Sequence, residues 1–227
     1  MKTINLEEIT NKTFIDYGGY SNVYKIEVDK KTYCYKEFTK QYDKDILENI
    51  IELSEENFIK EFITPLYIVL KNKDCIGYIT NYYGTLFDID HEYNLKLQIK
   101  LLKDFKRLLE ILHNYYKRIH GDINRSNLVY NNSNKNFIID FDRSLKIGSY
   151  PISNMSLNSS AIEYLKYYKF DINIDKFLFN KMTLSILCQY DIVFKLNENK
   201  DIKRLSKELL LTDTKKNISN EYIIDYI

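Results

Sequence analysis

Ile119-His120-Gly121-Asp122-Ile123-Asn124-Arg125-Ser126-Asn127, followed shortly by Phe137-Ile138-Ile139-Asp140-Phe141-Asp142, is the stretch on which the reading of this chain turns. The first piece is a polar loop entered from a long apolar-periodic helix. The second is an apolar strand that ends in two acids. Between them Leu128-Val129-Tyr130 and Phe137-Ile138-Ile139 read as the arms of a small hairpin. Asp140 follows Asn127 by thirteen residues, enough for that hairpin to return the chain beside Asn127. A polar loop after a helix, or a strand with a capping Asp, explains either piece singly. Neither explains both at this separation.

Working outward toward the start, residues 13–38 predict three short strands. Segments 13–17, 23–28 and 32–38 are separated by Gly18-Gly19 and by the turn Asp29-Lys30-Lys31. A helix is expected over 44–62, capped by Asp43, with Ile46, Leu47, Ile50, Ile51, Phe58 and Phe62 on one face and Pro65 after its end. Strands at about 66–70 and 75–80 flank the turn Asn72-Lys73-Asp74. After Gly84 the expected character is helical. Leu101, Leu102, Phe105, Leu108, Leu109, Leu112 and Tyr116 keep a helical period through 95–116. Beyond a Ser- and Asn-rich stretch at 144–160 the remainder reads mostly as helix. A strand-rich front and a helix-rich back predict an α+β chain in two lobes.

Charge and composition narrow the classes of function. The 33 Lys plus Arg nearly cancel the 32 Asp plus Glu, which leaves no global basic field for nucleic acid. No uninterrupted apolar run approaches membrane-spanning length, so neither nucleic acid nor membrane is expected as a partner. Met1-Lys2-Thr3-Ile4-Asn5 leads into Glu7 and Glu8, and no apolar signal segment is expected there. Cys34, Cys75 and Cys188 are few, odd in number and far apart, without disulfide or zinc spacing, so a cytoplasmic, reducing setting is expected. The 21 tyrosines follow a general richness in Asn, Ile, Lys and Tyr, and receive no collective role.

With these pieces in place, the stretch 119–127 resembles the catalytic loop of protein kinases and related phosphotransferases. Phe137-Ile138-Ile139-Asp140-Phe141-Asp142 resembles the strand and turn that carry the kinase DFG motif. The resemblance implies a bilobal fold over 1–227: a small antiparallel β-sheet lobe (1–80), a hinge (81–84) and a mostly helical, shortened second lobe (85–227). It implies ATP and Mg2+ as cofactors, Asp122 as the acceptor of the attacking hydroxyl's proton, and Asn127 and Asp140 as magnesium ligands. Tyr17-Gly18-Gly19-Tyr20-Ser21-Asn22-Val23 is similar to the family's glycine-rich loop. Aligned on Val23, Gly18 takes the second glycine position, while Asp16 and Ser21 replace the first and third. Gly18 and Gly19 then approach phosphates through backbone. Lys36 stands where the family's strand lysine pairs with the α- and β-phosphates, and Glu55 is its favoured helix partner over Glu48, Glu52 and Glu56. Asn81, Tyr82 and Tyr83 match the hinge that receives adenine, with Val23, Ile79 and Leu128 as apolar faces for the base. Glu163 resembles the glutamate of the APE motif, with Arg204 as a late arginine to hold it. Asp175 matches the aspartate that braces the catalytic loop.

Several positions depart from the family pattern. Gly121 replaces the arginine before the catalytic aspartate, which implies weak dependence on a phosphorylated activation loop at Ser149, Tyr150, Ser153 or Ser156. Asn124 stands where many Ser/Thr kinases carry a lysine, and Asp142 replaces the DFG glycine. His-Gly-Asp is also similar to aminoglycoside and choline kinase-like enzymes, which phosphorylate small alcohols. The length of chain before Glu163 favours a protein or peptide acceptor, on Ser or Thr and as a further possibility Tyr. A pseudokinase acting as a binding module is the third reading. Asp16, Ser21, Asn124 and Asp142 support it, and the complete set of Lys36, Asp122, Asn127 and Asp140 opposes it.

Overall fold

A computed structural model of the chain describes residues 2–40, 44–92, 94–149, 159–165, 169–188, 200, 203–204 and 221–227. The chain forms two compact units, Met1–Thr85 together with Ile139–Arg143, and Leu86–Ile138 together with Ser144–Ile227.

The first unit is built on β1 (Thr3–Asn5), β2 (Thr10–Tyr17), β3 (Ser21–Val28), β4 (Lys31–Phe38), α1 (Lys44–Glu55), β5 (Tyr67–Lys71) and β6 (Asp74–Asn81). The six strands form one sheet in the order β1-β5-β6-β4-β3-β2. Its hairpins arise from local turn chemistry. Asp29 (φ 49°) and Lys30 (φ 63°) link the paired Val28 and Lys31, and Asn72 (φ 52°) and Lys73 (φ 74°) link Lys71 and Asp74. Two consecutive left-handed residues make the tight turn whose twist suits antiparallel strands. The sheet is mixed, which corrects the expected antiparallel one. β1 runs parallel to β5, with Ile4 opposite Val69. Three residues are too few to show alternation, and Ile4 owes its place to burial in the core.

Strand parity separates the faces of this sheet. Ile4, Ile26, Val28, Tyr35, Val69 and Ile79 form a buried cluster on one face. Val23, Lys36, Tyr78 and Ile68 stand opposite one another across β3, β4, β6 and β5 on the other. Helix α1 buries Ile46, Asn49, Ile50, Leu53 and Ser54. It ends at Glu55, seven residues short of the expected 62. The run Ser54-Glu55-Glu56-Asn57 interrupts the apolar period, and the Ser54 hydroxyl donates to the Ile51 carbonyl at 2.7 Å, a local bond that competes with helix continuation. Phe58 and Phe62 therefore lie beyond the helix, where their rings meet Phe141 at 6.1 and 5.4 Å. Asp43, the expected cap, lies outside the described residues.

The second unit contains β7 (Leu86–Asp88), α2 (Leu95–Asn114), β8 (Arg118–Ile119), β9 (Leu128–Asn131), β10 (Asn136–Ile138), β11 (Leu145–Lys146), α3 (Ser159–Leu165) and α4 (Ile172–Cys188). Asn94 caps α2, accepting from the Leu97 N–H at 3.2 Å. The predicted hairpin forms, with Val129 opposite Phe137 and Leu128 opposite Ile138. β7 pairs with β9 where helix was expected after Gly84, and Phe87 meets Tyr130 across the strands at 5.8 Å. α4 buries Ile174, Phe177, Leu178, Phe179, Met182, Ile186 and Leu187, so it is apolar nearly all round and shows little helical period. The chain is thus α+β, with a mixed six-stranded sheet and, among the described residues, four α-helices. None of the helices is long and apolar enough to cross a membrane.

Gly77 tests the packing of the sheet. A Cβ there would lie 2.2 Å from the Lys36 carbonyl oxygen and 2.7 Å from the Tyr35 ring. Backbone in the middle of a sheet cannot yield to it. Gly77→Ala is expected to destabilise the protein by at least about 2 kcal/mol, read as a lowered urea midpoint. An unchanged midpoint would contradict this packing.

Candidate functional site

Each unit holds one group of the residues singled out by sequence. In the sheet unit the group centres on Lys36, placed mid-strand on β4. Its ammonium forms an ion pair with the Asp140 carboxylate, with side-chain exposures of 18% and 37%. Burial alone would pull the Lys36 ammonium down. The carboxylate of Asp140, helped by Tyr78 and Asp142, outweighs it and holds the group well above its ordinary value.

Asp140 has φ 68°, in the left-handed region that costs a non-glycine residue energy, Asp less than most. Its three successors anchor this geometry. Phe141 is 1% exposed against Phe58 and Phe62. The Asp142 carbonyl accepts from Asn49 Nδ2 of α1 at 2.8 Å, and the Arg143 guanidinium lies 4.9 Å over the Tyr20 ring at the β2–β3 turn.

The other sheet-unit residues are placed by their strands and turns. Gly18 and Gly19 are exposed in the turn between β2 and β3, where the Gly18 N–H donates to the Ser21 carbonyl at 2.7 Å. A Cβ on Gly18 would meet Ser21 Oγ at 3.0 Å, whereas Gly19 faces open space. Val23 is directly opposite Lys36 and shares its face. Ile79 does not. It opposes Tyr35 and is fully buried in the cluster on the opposite face, which corrects its expected place beside Val23. Alternation instead puts Cys34, Tyr78 and Thr80 on the Lys36 face, residues that the sequence reading missed although the period of two in β4 and β6 carries them. Burial pushes the Cys34 thiol up, against the lowering influence of Lys36 and Thr80. A bulge between Phe14 and Asp16 brings Asp16 into register with Val23, so Asp16 also shares this face. Glu55 is exposed on the last turn of α1. Asn81 ends β6 exposed, Tyr82 and Tyr83 are half-buried, and Lys25 Nζ lies 5.5 Å over the Tyr82 ring.

In the helical unit, the loop after β8 is organised around Asp122. Its carboxylate accepts from Asn124 Nδ2 at 3.2 Å on one oxygen and from Asn127 Nδ2 at 3.1 Å on the other. Asn124 Oδ1 in turn accepts from the Ser126 and Asn127 N–H groups at 2.9 and 3.2 Å. Asn is well suited to capping such a turn, and this gives Asn124 a structural place where the resemblance expects a lysine. Asn127 Nδ2 also donates to the Asp122 carbonyl at 2.8 Å. Both of its amide protons are thus turned toward Asp122, and its amide oxygen is left for another partner. Leu128, directly after it, is fully buried in β9.

The loop is fixed by Asp175 on α4. This fully buried carboxylate accepts from the His120 N–H at 2.8 Å, the Gly121 N–H at 2.7 Å and His113 Nε2 at 2.8 Å. Burial pushes the Asp175 carboxyl up, yet the hydrogen bond and charge of His113, the His120 ring and the Gly121 N–H together hold it below its ordinary value of 3.8. Gly121 sits at φ 78°, a conformation that an arginine would take only with strain. An arginine at this position, where the resemblance expects one, would carry that strain. His113, missed from sequence, falls four residues after Leu109 on the buried stripe of α2. That position was its only signal. A further missed contact is Arg125, which pairs with Asp90 and Ser185.

Arg204 pairs with Glu221, while the side chain of Glu163, its expected partner, lies outside the described residues together with Tyr150, Ser153 and Ser156. Ser149 is exposed. Among the described residues no group of three or more His, Cys, Asp and Glu side chains is arranged to hold a metal ion. Magnesium with a nucleotide needs only one or two carboxylates from protein.

The Asp175 bonds carry a stability and pH consequence. Because the folded carboxyl titrates below 3.8, its contribution is fully present above that pH and is lost as pH falls through the folded value. Asp175→Asn, which turns an amide N–H2 or a single acceptor on three donors, is expected to cost about 3 kcal/mol near neutral pH. The gap in urea midpoint between wild type and variant should narrow as pH drops below 3.8. A gap that stays constant down to pH values of about 2 would contradict the assignment. No protein-family model matches the chain, and no curated protein matches it.

Proposed function

We propose that the chain is a cytoplasmic, ATP- and magnesium-dependent phosphotransferase with a bilobal protein-kinase-like fold, transferring the γ-phosphate to a Ser or Thr hydroxyl of a protein or peptide. The observation that carries this reading is the Lys36–Asp140 ion pair, made between residues 104 positions apart in sequence. Both are residues that the motif resemblance assigns to phosphate and metal. Nothing in the packing of the sheet requires a lysine on that face, where Val23, Tyr78 and Ile68 occupy the same row.

The donor set suits the cofactors. Asp140 and the amide oxygen of Asn127 are hard oxygen donors of the kind magnesium takes, and the exposed Gly18-Gly19 turn, with open space at Gly19, allows close approach of a phosphate to the backbone. When bound, magnesium supplies neutralisation of the charge on the phosphate oxygens. The protein's own residues do the rest. Lys36 holds the α- and β-phosphates. Asp122, oriented by the amides of Asn124 and Asn127, accepts the proton of the acceptor hydroxyl at its carboxylate. Asp175 keeps the loop backbone in place during that transfer.

A nucleotide-binding module without transfer is the second reading, and Asp16 favours it. Its carboxylate shares the Lys36 face and opposes phosphate charge. Asp122→Asn and Asp140→Asn separate the two. Magnesium-dependent ATP turnover is expected to fall roughly 10²- to 10⁴-fold in each, with far-ultraviolet circular dichroism unchanged. Turnover equal to wild type in both variants would sink the phosphotransferase assignment. Nucleotide binding with no turnover in the wild type would establish the second reading.

A further inference from the structure

Asp122, Asn124, Ser126 and Asn127 of loop 122–127 are joined by bonds within it and Ile123 is buried, but the outward half of the loop has no apolar anchor. Arg125 is half-buried and Ser126 is exposed, and only Asn127 beyond them is buried. Arg125 is tied down differently. One terminal nitrogen of its guanidinium lies 2.8 Å from each carboxylate oxygen of Asp90, and the other donates to Ser185 Oγ at 2.7 Å. Side-chain exposures of 26% and 39% place the Arg125–Asp90 pair at the surface but not in open water.

Both partners sit on firm supports. Asp90 lies in the short turn Ile89–His91, next to the fully buried Ile89, whose carbonyl accepts from Gln98 Nε2 of α2 at 3.1 Å. Ser185 lies on α4 beside the buried Ile186 and Leu187. Asp175, which holds His120 and Gly121, is on the same helix. Ten residues of helix separate Asp175 from Ser185, roughly 15 Å along the axis. One rigid helix therefore grips the loop before Asp122 through Asp175, and after it through Ser185.

We propose that Arg125 is a positioning residue that sets the place of Asp122 and Asn127 by spanning Asp90 and Ser185. Its catalytic consequence rests on the phosphotransferase reading, whereas its structural consequence does not. The planar guanidinium reaches both partners from one side chain in fixed geometry, and the ammonium of a lysine cannot reproduce that fork.

The test uses the full chain with Arg125→Met, Arg125→Lys, Asp90→Asn and Ser185→Ala, read by amide hydrogen exchange over residues 119–131 and by steady-state kinetics. Exchange in that segment is expected to quicken about five- to tenfold in Arg125→Met and Asp90→Asn, and about two- to threefold in Arg125→Lys and Ser185→Ala, with other segments unchanged. Combining Asp90→Asn with Arg125→Met should add little to Arg125→Met alone. The rate constant kcat is expected to drop about tenfold in Arg125→Met with KM for ATP unchanged, since positioning acts on the chemical step. Unaltered exchange in both Arg125→Met and Asp90→Asn would overturn the proposal, and so would a uniform rise across the whole chain. Should Arg125→Met fail to fold, Arg125→Lys and Ser185→Ala decide by the same readout. If the wild type turns over no ATP, the phosphotransferase reading fails, and exchange alone decides the role of Arg125.

Discussion

The buried carboxylate of Asp175 is the constraint from which the loop of the helical unit is built. An ionised acid with no solvent exposure is tolerated only when its oxygens are fully used, and here His113 and the His120 and Gly121 N–H groups use them. The same three bonds fix where β8 ends and how the chain turns. Gly121 supplies the left-handed residue that aims both backbone donors at one carboxylate. Asp122 comes directly after it, and its own carboxylate is then oriented by two asparagine amides. Such layering, a buried acid under a backbone turn under a second acid, places side chains more narrowly than an exposed loop could.

The sheet unit reaches comparable order by different means. β4 presents Lys36 because strand parity and the two-residue turn at Asp29-Lys30 set its register against β3. Asp140 arrives from far along the sequence and is held by its immediate successors. Phe141 packs on Phe58 and Phe62, and Asn49 of α1 takes the Asp142 carbonyl. The early end of α1 contributes to this, since it frees Phe58 and Phe62 to form the aromatic seat. Asp142, where the resemblance expects a flexible glycine, is 6% exposed, consistent with a turn that is anchored.

Much of this was legible in the sequence because the signals were local. Alternation over residues 23–28 marks β3, the polar turns that open on Asp29 and Asn72 mark two hairpins, and the stripe from Leu101 to Leu112 marks α2. β1 and β7 were not legible. Each has three residues, and each is held by a partner strand distant in sequence. The face assignment of Ile79 failed for a related reason, because hydrophobicity alone does not give parity, and a register against β4 was needed. Within the loop, the spacing of Asp122 and Asn127 was informative and the role of Arg125 was not. Asp90 and Ser185 come from separate elements 35 residues before and 60 after it, and no local pattern ties the three together. Departures from the family pattern proved readable only with backbone angles in hand. Gly121 is explained by φ and Asn124 by its cap, while Asp16 was aimed by a bulge that no residue type announced.

Phosphoryl transfer itself is tested most directly by incubating the purified full chain with magnesium and ATP labelled at the γ-phosphate, together with a protein extract as acceptor. Label is expected to appear on Ser or Thr of protein, and to require magnesium. Absence of label from every acceptor, with the protein folded and magnesium present, would contradict the account, and label confined to small hydroxyl compounds would contradict its choice of acceptor.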